Sequence, residues 1–205
     1  MINFILACIH LDPLAIVKTG GYIGLAFLVF AESGLLIGIL LPGDSLLFAA
    51  GLLSASAFFN LGALAFVVVA AAILGDSTGY WFGKNVGDRF FDREDSFLFK
   101  KSYVTRTEKF YKKYGARAVV LARFVPIVRT MAPIMAGIGS MRYSRFLSYN
   151  AIGAFIWGAG MVALGYFLGR ILPGSEQYIL PLSLGIIVLS FLPILINFFS
   201  GKKAF

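Results

Sequence analysis

AESGLLIGILLPGDSLLFAAGLL, residues 31–53, is an apolar stretch broken in its middle by Pro42, Gly43 and Asp44, with a second acid, Glu32, near its start. A charge set among residues fit only for lipid is costly and points to function. A stretch of the same character, ARFVPIVRTMAPIMAGIGSM at residues 122–141, is broken by Pro126 and Pro133 and carries Arg123 and Arg129 on either side of FVPIV. The acids belong to the first half of the chain and the arginines to the second, so a fold that joins the halves neutralises all four.

The rest of the chain has the composition that such a reading requires. Of 205 residues, 59% are hydrophobic and 14% charged, and the mean hydropathy is +0.86. That is too apolar for a soluble domain and too short for several, which gives a single all-α polytopic membrane domain spanning residues 1–205. The N-terminus has neither a basic start nor a small-residue cleavage site, so the first apolar stretch is expected to remain in the mature protein. Cys8 is the sole cysteine; it excludes an intramolecular disulfide and reads as a buried thiol. The net charge of +8 comes from basic residues concentrated between Lys84 and Arg117 and recurring beside apolar spans. This is the positive-inside pattern, not a nucleic-acid surface. It sets residues 84–117, Arg142, Arg145 and the C-terminal Lys202 and Lys203 in the cytoplasm.

Residues 61–82, 146–168 and 178–199 are each long enough, at about 1.5 Å per residue, to cross a hydrocarbon core of about 30 Å. Residues 20–59 and 117–141 are not simple crossings. As a helix, 45–59 reaches only about 22 Å, and Pro126 removes a backbone donor inside the second segment, so each reads as a re-entrant helical hairpin. The simpler alternative, in which proline kinks ordinary spans, stays open. With hairpins, the chain is an inverted repeat: residues 20–83, a cytoplasmic amphipathic segment 84–116, a second copy at 117–169, and the C-terminal span. Facing broken helices of this kind form binding sites in transporters. Within the amphipathic segment, Tyr103, Phe110 and Tyr114 recur at helical spacing, Thr105 and Glu108 form a capping-box pattern, and Gly115 is a stop. This predicts a helix lying on the cytoplasmic leaflet, for anchoring or for attracting anionic headgroups. The residues up to Lys18 read as a similar interfacial element, although Pro13 leaves their side of the membrane open.

Arginine carries a planar fork of donors that matches phosphate oxygens in pairs and stays charged at low dielectric. Arg123, Arg129 and the hydroxyl of Thr130, with backbone donors freed by the prolines, are therefore the candidate anion-binding groups. Their structural alternative is pairing with Glu32 and Asp44, and the two roles are compatible. Glu32 and Asp44 are candidates for charge compensation or proton coupling. Asp76, in LGDSTGYWFG, reads chiefly as a residue near the cytoplasmic end of its span, because Lys84 follows, and only secondarily as a site member. Ser45 is a further secondary candidate. Pro42, Gly43, Pro126, Pro133 and Gly137 shape the hairpins, and Gly139 suits a tight turn. Catalysis is not expected. His10 is the single histidine, Ser45 has no base near it, and no motif calls for a cofactor or metal.

The two broken stretches, together with KKSYVTRTEKFYKKYGARAVVLARFVPIVRT (residues 100–130) and YNAIGAFIW (149–157), resemble the DedA family, the bacterial DedA branch of VTT or SNARE-associated-type membrane proteins. The resemblance covers nearly the whole chain. It implies the fold of eukaryotic lipid scramblases of the autophagy machinery, with two facing re-entrant hairpins, and translocation of a polyprenyl phosphate or phospholipid in support of envelope integrity. Dependence on the proton-motive force is implied for several members. The family's acidic pair falls on Glu32 and Asp44 and its arginine pair on Arg123 and Arg129. The expected function is therefore an inner-membrane lipid transporter, with undecaprenyl phosphate the leading substrate and membrane lipids the partners. A proton-coupled small-cation antiporter and a non-transporting envelope scaffold are the alternatives. The lipid, the direction of transport and self-association into a homo-oligomer are left open.

Overall fold

The computed structural model describes residues 13–34, 43–86 and 101–171. Their regular structure is helical throughout, and no strand occurs among the described residues. Cys8, His10, Pro42, Lys202, Lys203, the expected span 178–199 and residues 87–100 of the expected basic segment lie outside them. Helix α1 is Pro13–Gly34, α2 Gly43–Ala55, α3 Leu61–Val86, α4 Lys101–Tyr114, α5 Ala118–Ala122, α6 Pro126–Ile138, α7 Tyr143–Ala154 and α8 Gly160–Ile171. A five-residue π-turn, Phe155–Ala159, joins α7 to α8.

Three helical stretches among the described residues are long and apolar enough to cross a membrane: Ala15–Gly34, Leu61–Asn85 and Tyr143–Ile171. The second and third contain the expected spans 61–82 and 146–168. Their outward apolar side chains are left uncovered: Ile23, Phe66, Leu74, Phe155 and Leu164 are all exposed. Water would oppose this arrangement and lipid accepts it. The first stretch is interrupted. Residues 13–20 form a short helical segment of their own, set off from the rest of α1 by a break at Gly21 (φ 55°, ψ −151°), a left-handed position open to glycine.

The helices group into two compact units. In the first, which includes residues 13–25, 43–65 and 160–171, α2 packs along α8. The contact is backbone against backbone: a Cβ on Gly51 would run into the Val162 carbonyl, one on Gly165 into the Phe48 carbonyl, and one on Gly169 would lie 2.7 Å from the Ala55 Cβ. Small residues allow this close approach, as expected of helices packing in lipid. Asn60 caps α3, its Oδ1 accepting from the Ala63 N–H at 3.0 Å, while its own N–H donates to the Tyr22 hydroxyl at 2.9 Å.

The second unit includes residues 26–34, 66–86 and 101–159. Tyr80, Val119, Ala136 and Phe146 form one cluster of its core, and Ala122, Val128 and Ala132 another. The Tyr80 and Phe146 rings stack with centroids 4.8 Å apart, and the Tyr80 hydroxyl donates to the Met141 carbonyl at 2.5 Å. Helix α4 begins at Lys101, so Thr105 and Glu108 are interior positions and not the cap expected of them. Gly115 (φ 58°) ends it as expected. The helix does more than anchor: Tyr111 donates to the Ala132 carbonyl at 2.9 Å, which docks α4 onto α6.

Candidate functional site

Glu32, Asp76, Arg123 and Arg129 come together inside the second unit, each at most 8% exposed. Three local devices place them. Glu32 is two residues from the end of α1, where Gly34 lets that helix touch α3: a Cβ on Gly34 would be 2.6 Å from the Gly75 carbonyl oxygen, one residue before Asp76. Arg123 is in the break between α5 and α6, where Val125 turns extended (φ −124°, ψ 104°). Pro126 then occupies the first turn of α6, a position that proline suits, and Val125 supplies no side-chain cap. The Arg129 N–H donates to the Val125 carbonyl at 2.8 Å, which leaves the Ile127 and Val128 N–H groups of this first turn with no helical residue to bond. Arg129 is one turn into α6, and Pro133 deprives its carbonyl of the usual donor four residues on.

Arg129 Nη2 donates to Glu32 Oε1 in a buried ion pair. Arg123 Nη2 donates to Asp76 Oδ2 at 2.5 Å and to Asn150 Oδ1 at 2.6 Å. Asn150 is itself fixed, since its Nδ2 donates to the Ile73 carbonyl on α3 at 3.2 Å. Burial of one charge without the other would be costly, so these pairs explain each other's presence at depth. Arg123 is nevertheless incompletely used. Its Nε and Nη1, and Asp76 Oδ1, are buried without a hydrogen-bond partner among the described residues.

Both guanidinium carbons also lie over one indole ring, that of Trp157, at 5.7 Å for Arg123 and 5.1 Å for Arg129. Gly153 leaves room for the Arg123 stem: a Cβ there would be 3.0 Å from Arg123 Cδ and 3.1 Å from Nε. Asn150, Gly153 and Trp157 thus form one stripe, three and four residues apart, on the helical stretch that carries them.

The correction to the sequence reading concerns Asp76. It is 3% exposed and bonded to Arg123, instead of sitting at a wet helix end. The nearby Lys84 faces the Trp81 ring, 5.0 Å from its centroid. Asn150 and Trp157 were not singled out. The signal available was a polar amide inside an otherwise apolar span. Of the remaining candidates, Thr130 is buried beside Arg129 in sequence, and Gly137 touches α3, where a Cβ would strike the Tyr80 carbonyl. Gly139 is the C-cap of α6. Gly43, Asp44 and Ser45 open α2 in the first unit; Ser45 is buried and Asp44 half-buried in the first turn, where a negative charge is favoured.

Apolar helices of spanning length, with a buried set of paired charges, define a polytopic membrane protein with a polar centre. The VTT domain matches residues 41–167. Protein DedA of Escherichia coli (strain K12) is 41% identical over 209 residues, covering 100% of this chain and 94% of that protein. An uncharacterized membrane protein of Mycobacterium tuberculosis (strain ATCC 25618 / H37Rv) is 45% identical over 195 residues, covering 91% of this chain and 85% of the relative. No solved structure matches the chain. The chain belongs to the DedA family of VTT-domain membrane proteins.

Proposed function

We propose that this protein carries a phosphate-bearing lipid between the leaflets of the bacterial inner membrane, with undecaprenyl phosphate the leading substrate and protons the compensating charge. The observation that supports it most directly is Arg123. This arginine is buried and held on one nitrogen by Asp76 and Asn150, yet keeps Nε and Nη1 without partners among the described residues. Donors of that kind suit the oxygens of a phosphate, which arginine takes in pairs. The second arginine, Arg129, and the uncapped start of α6 add positive potential in the same unit.

Charge balance gives the mechanism. At rest each arginine has a carboxylate, so an arriving phosphate displaces Glu32 or Asp76 from its partner. A displaced carboxylate in a dry site takes up a proton, so the site stays near neutral while the lipid tail remains in the bilayer. Helices α2 and α6 are 13 residues each, and α1 beyond Gly21 is of similar length. At about 20 Å such helices fall short of a full crossing, which favours two re-entrant hairpins over kinked spans. Residues 84–117 and the C-terminus are then cytoplasmic. A small-cation antiporter is less favoured, because a cation would have to displace Arg129 from Glu32.

The test is purified protein in liposomes, with leaflet-resolved movement of several phosphorylated lipids. Transfer faster than in protein-free vesicles is expected, and Arg129→Lys, which keeps the charge but loses the fork, should slow it at least tenfold. Transfer no faster than in empty liposomes, or an undiminished lysine variant, would sink the reading.

A further inference from the structure

We infer that Trp157 is a positioning residue that holds Arg123 and Arg129 as one anion-binding unit. Each guanidinium alone is positioned by its carboxylate, but carboxylate pairing does not explain why two cations share a neighbourhood that disfavours like charges. The indole does. The electron-rich face of an aromatic ring attracts a cation, most strongly in tryptophan and most effectively away from water. Here one ring, 3% exposed, serves both guanidinium carbons within 6 Å.

The surrounding backbone is built to keep that ring in place. Trp157 lies in the π-turn Phe155–Ala159, an arrangement found chiefly where a helix is deformed for function. Phe155 and Ile156 are 66% and 51% exposed, whereas Trp157 is turned inward. Gly158 follows it and brings the turn against α3, where a Cβ would be 2.9 Å from Val68 Cγ1. The same stripe supplies Asn150, which bonds Arg123, and Gly153, which makes space for it. When a carboxylate leaves its arginine, the ring and the Asn150 amide remain. The arginines thus keep their mutual geometry through the step in which their counter-charges change. The functional part of this inference rests on the proposed phosphate exchange; the stacking itself does not.

The experiment uses the full chain in lipid nanodiscs with Trp81→Phe, which leaves Trp157 as the one tryptophan of the two in the sequence. The first measurement needs no ligand. Removing one cation with Arg129→Leu should shift the Trp157 emission maximum, and an unchanged spectrum would overturn the stacking. The second measures affinity for decyl phosphate. Trp157→Leu should weaken it roughly tenfold and Trp157→Phe, with a weaker ring quadrupole, roughly threefold. Equal affinity in Trp157→Leu and the parent would overturn the positioning role while leaving the transport reading intact. Should the leucine variant not fold, the phenylalanine variant and the emission comparison decide. If the parent binds no decyl phosphate yet its emission responds to Arg129→Leu, the transport reading falls and the stacked unit stands.

Discussion

Asp76 and Arg123 should behave as a single energetic unit, and a double-mutant cycle measures this. Both residues are 3% exposed, and their contact is 2.5 Å, so neither charge has water to fall back on. With charge centres about 4 Å apart and an effective dielectric near 20, their attraction is about 4 kcal/mol. Stranding one partner of a buried pair costs about 3–5 kcal/mol. The structure offers little relief, because Asn150 supplies only one neutral hydrogen bond to Arg123, and Asp76 Oδ1 has no partner among the described residues. Asp76→Leu and Arg123→Leu should therefore each destabilise the protein by about 3–5 kcal/mol. The double variant should lose well under their sum, with a coupling of at least about 2 kcal/mol. Unfolding in mixed micelles of rising sodium dodecyl sulfate content, followed by circular dichroism, gives the three differences. A double variant whose loss equals the sum of the single losses would refute the pairing and return Asp76 to the helix-end role that Lys84 suggested.

Gly153→Ala places a methyl group against Arg123 Cδ and Nε, so affinity for an alkyl phosphate should fall about tenfold in protein that still folds, as a binding titration beside a circular dichroism spectrum would show. Gly165→Ala drives a Cβ into the Phe48 carbonyl, which as backbone has little room to yield, and should cost about 1–3 kcal/mol in the same micelle titration. Tyr111→Phe removes the hydrogen bond to Ala132 and should cost about 1 kcal/mol without weakening phosphate binding. Burial, helped by the Asp76 carboxylate, raises the Tyr111 pKa above its usual 10.0, so its folded form holds the proton longer than its unfolded form. Its contribution is then level below pH 10.0 and lost only as the pH rises further, and a stability profile falling between pH 7 and 9 because of this residue would contradict that placement.

The long elements were legible because lipid imposes a simple rule on them. Residues 61–82 and 146–168 are continuous apolar runs, and the helices through them extend by only a few residues at either end. Breaks were legible where proline or glycine forces them, as at Pro126 and Gly115. Gly21 was missed as a break because paired glycines also fit the interior of a membrane helix. The cap at Thr105 failed because a local pattern specifies a helix start only when nothing else extends the helix, and α4 is also held by its packing on α6. Glu32, Arg123 and Arg129 announced themselves as isolated charges. Asp76 did not, since a carboxylate eight residues before a lysine on one helix looks like an approach to water. Only the folded chain brings it an arginine from 47 residues away. Trp157 had no signal at all of this kind, because tryptophan is at home in a membrane span whatever it touches.

The glycine contacts of the second unit carry a mechanical consequence. Gly83 meets Ile134 and Gly137 meets Tyr80 through peptide groups, and Gly34 meets the Gly75 peptide beside the Thr78 hydroxyl. Peptide planes in direct contact have no rotamers with which to absorb sliding, so residues 26–34 of α1, residues 66–86 of α3 and α6 are held as one frame within the second unit. Within that frame any exchange of partners falls to the Glu32 and Asp76 carboxylates, so the two arginines sit in a fixed socket.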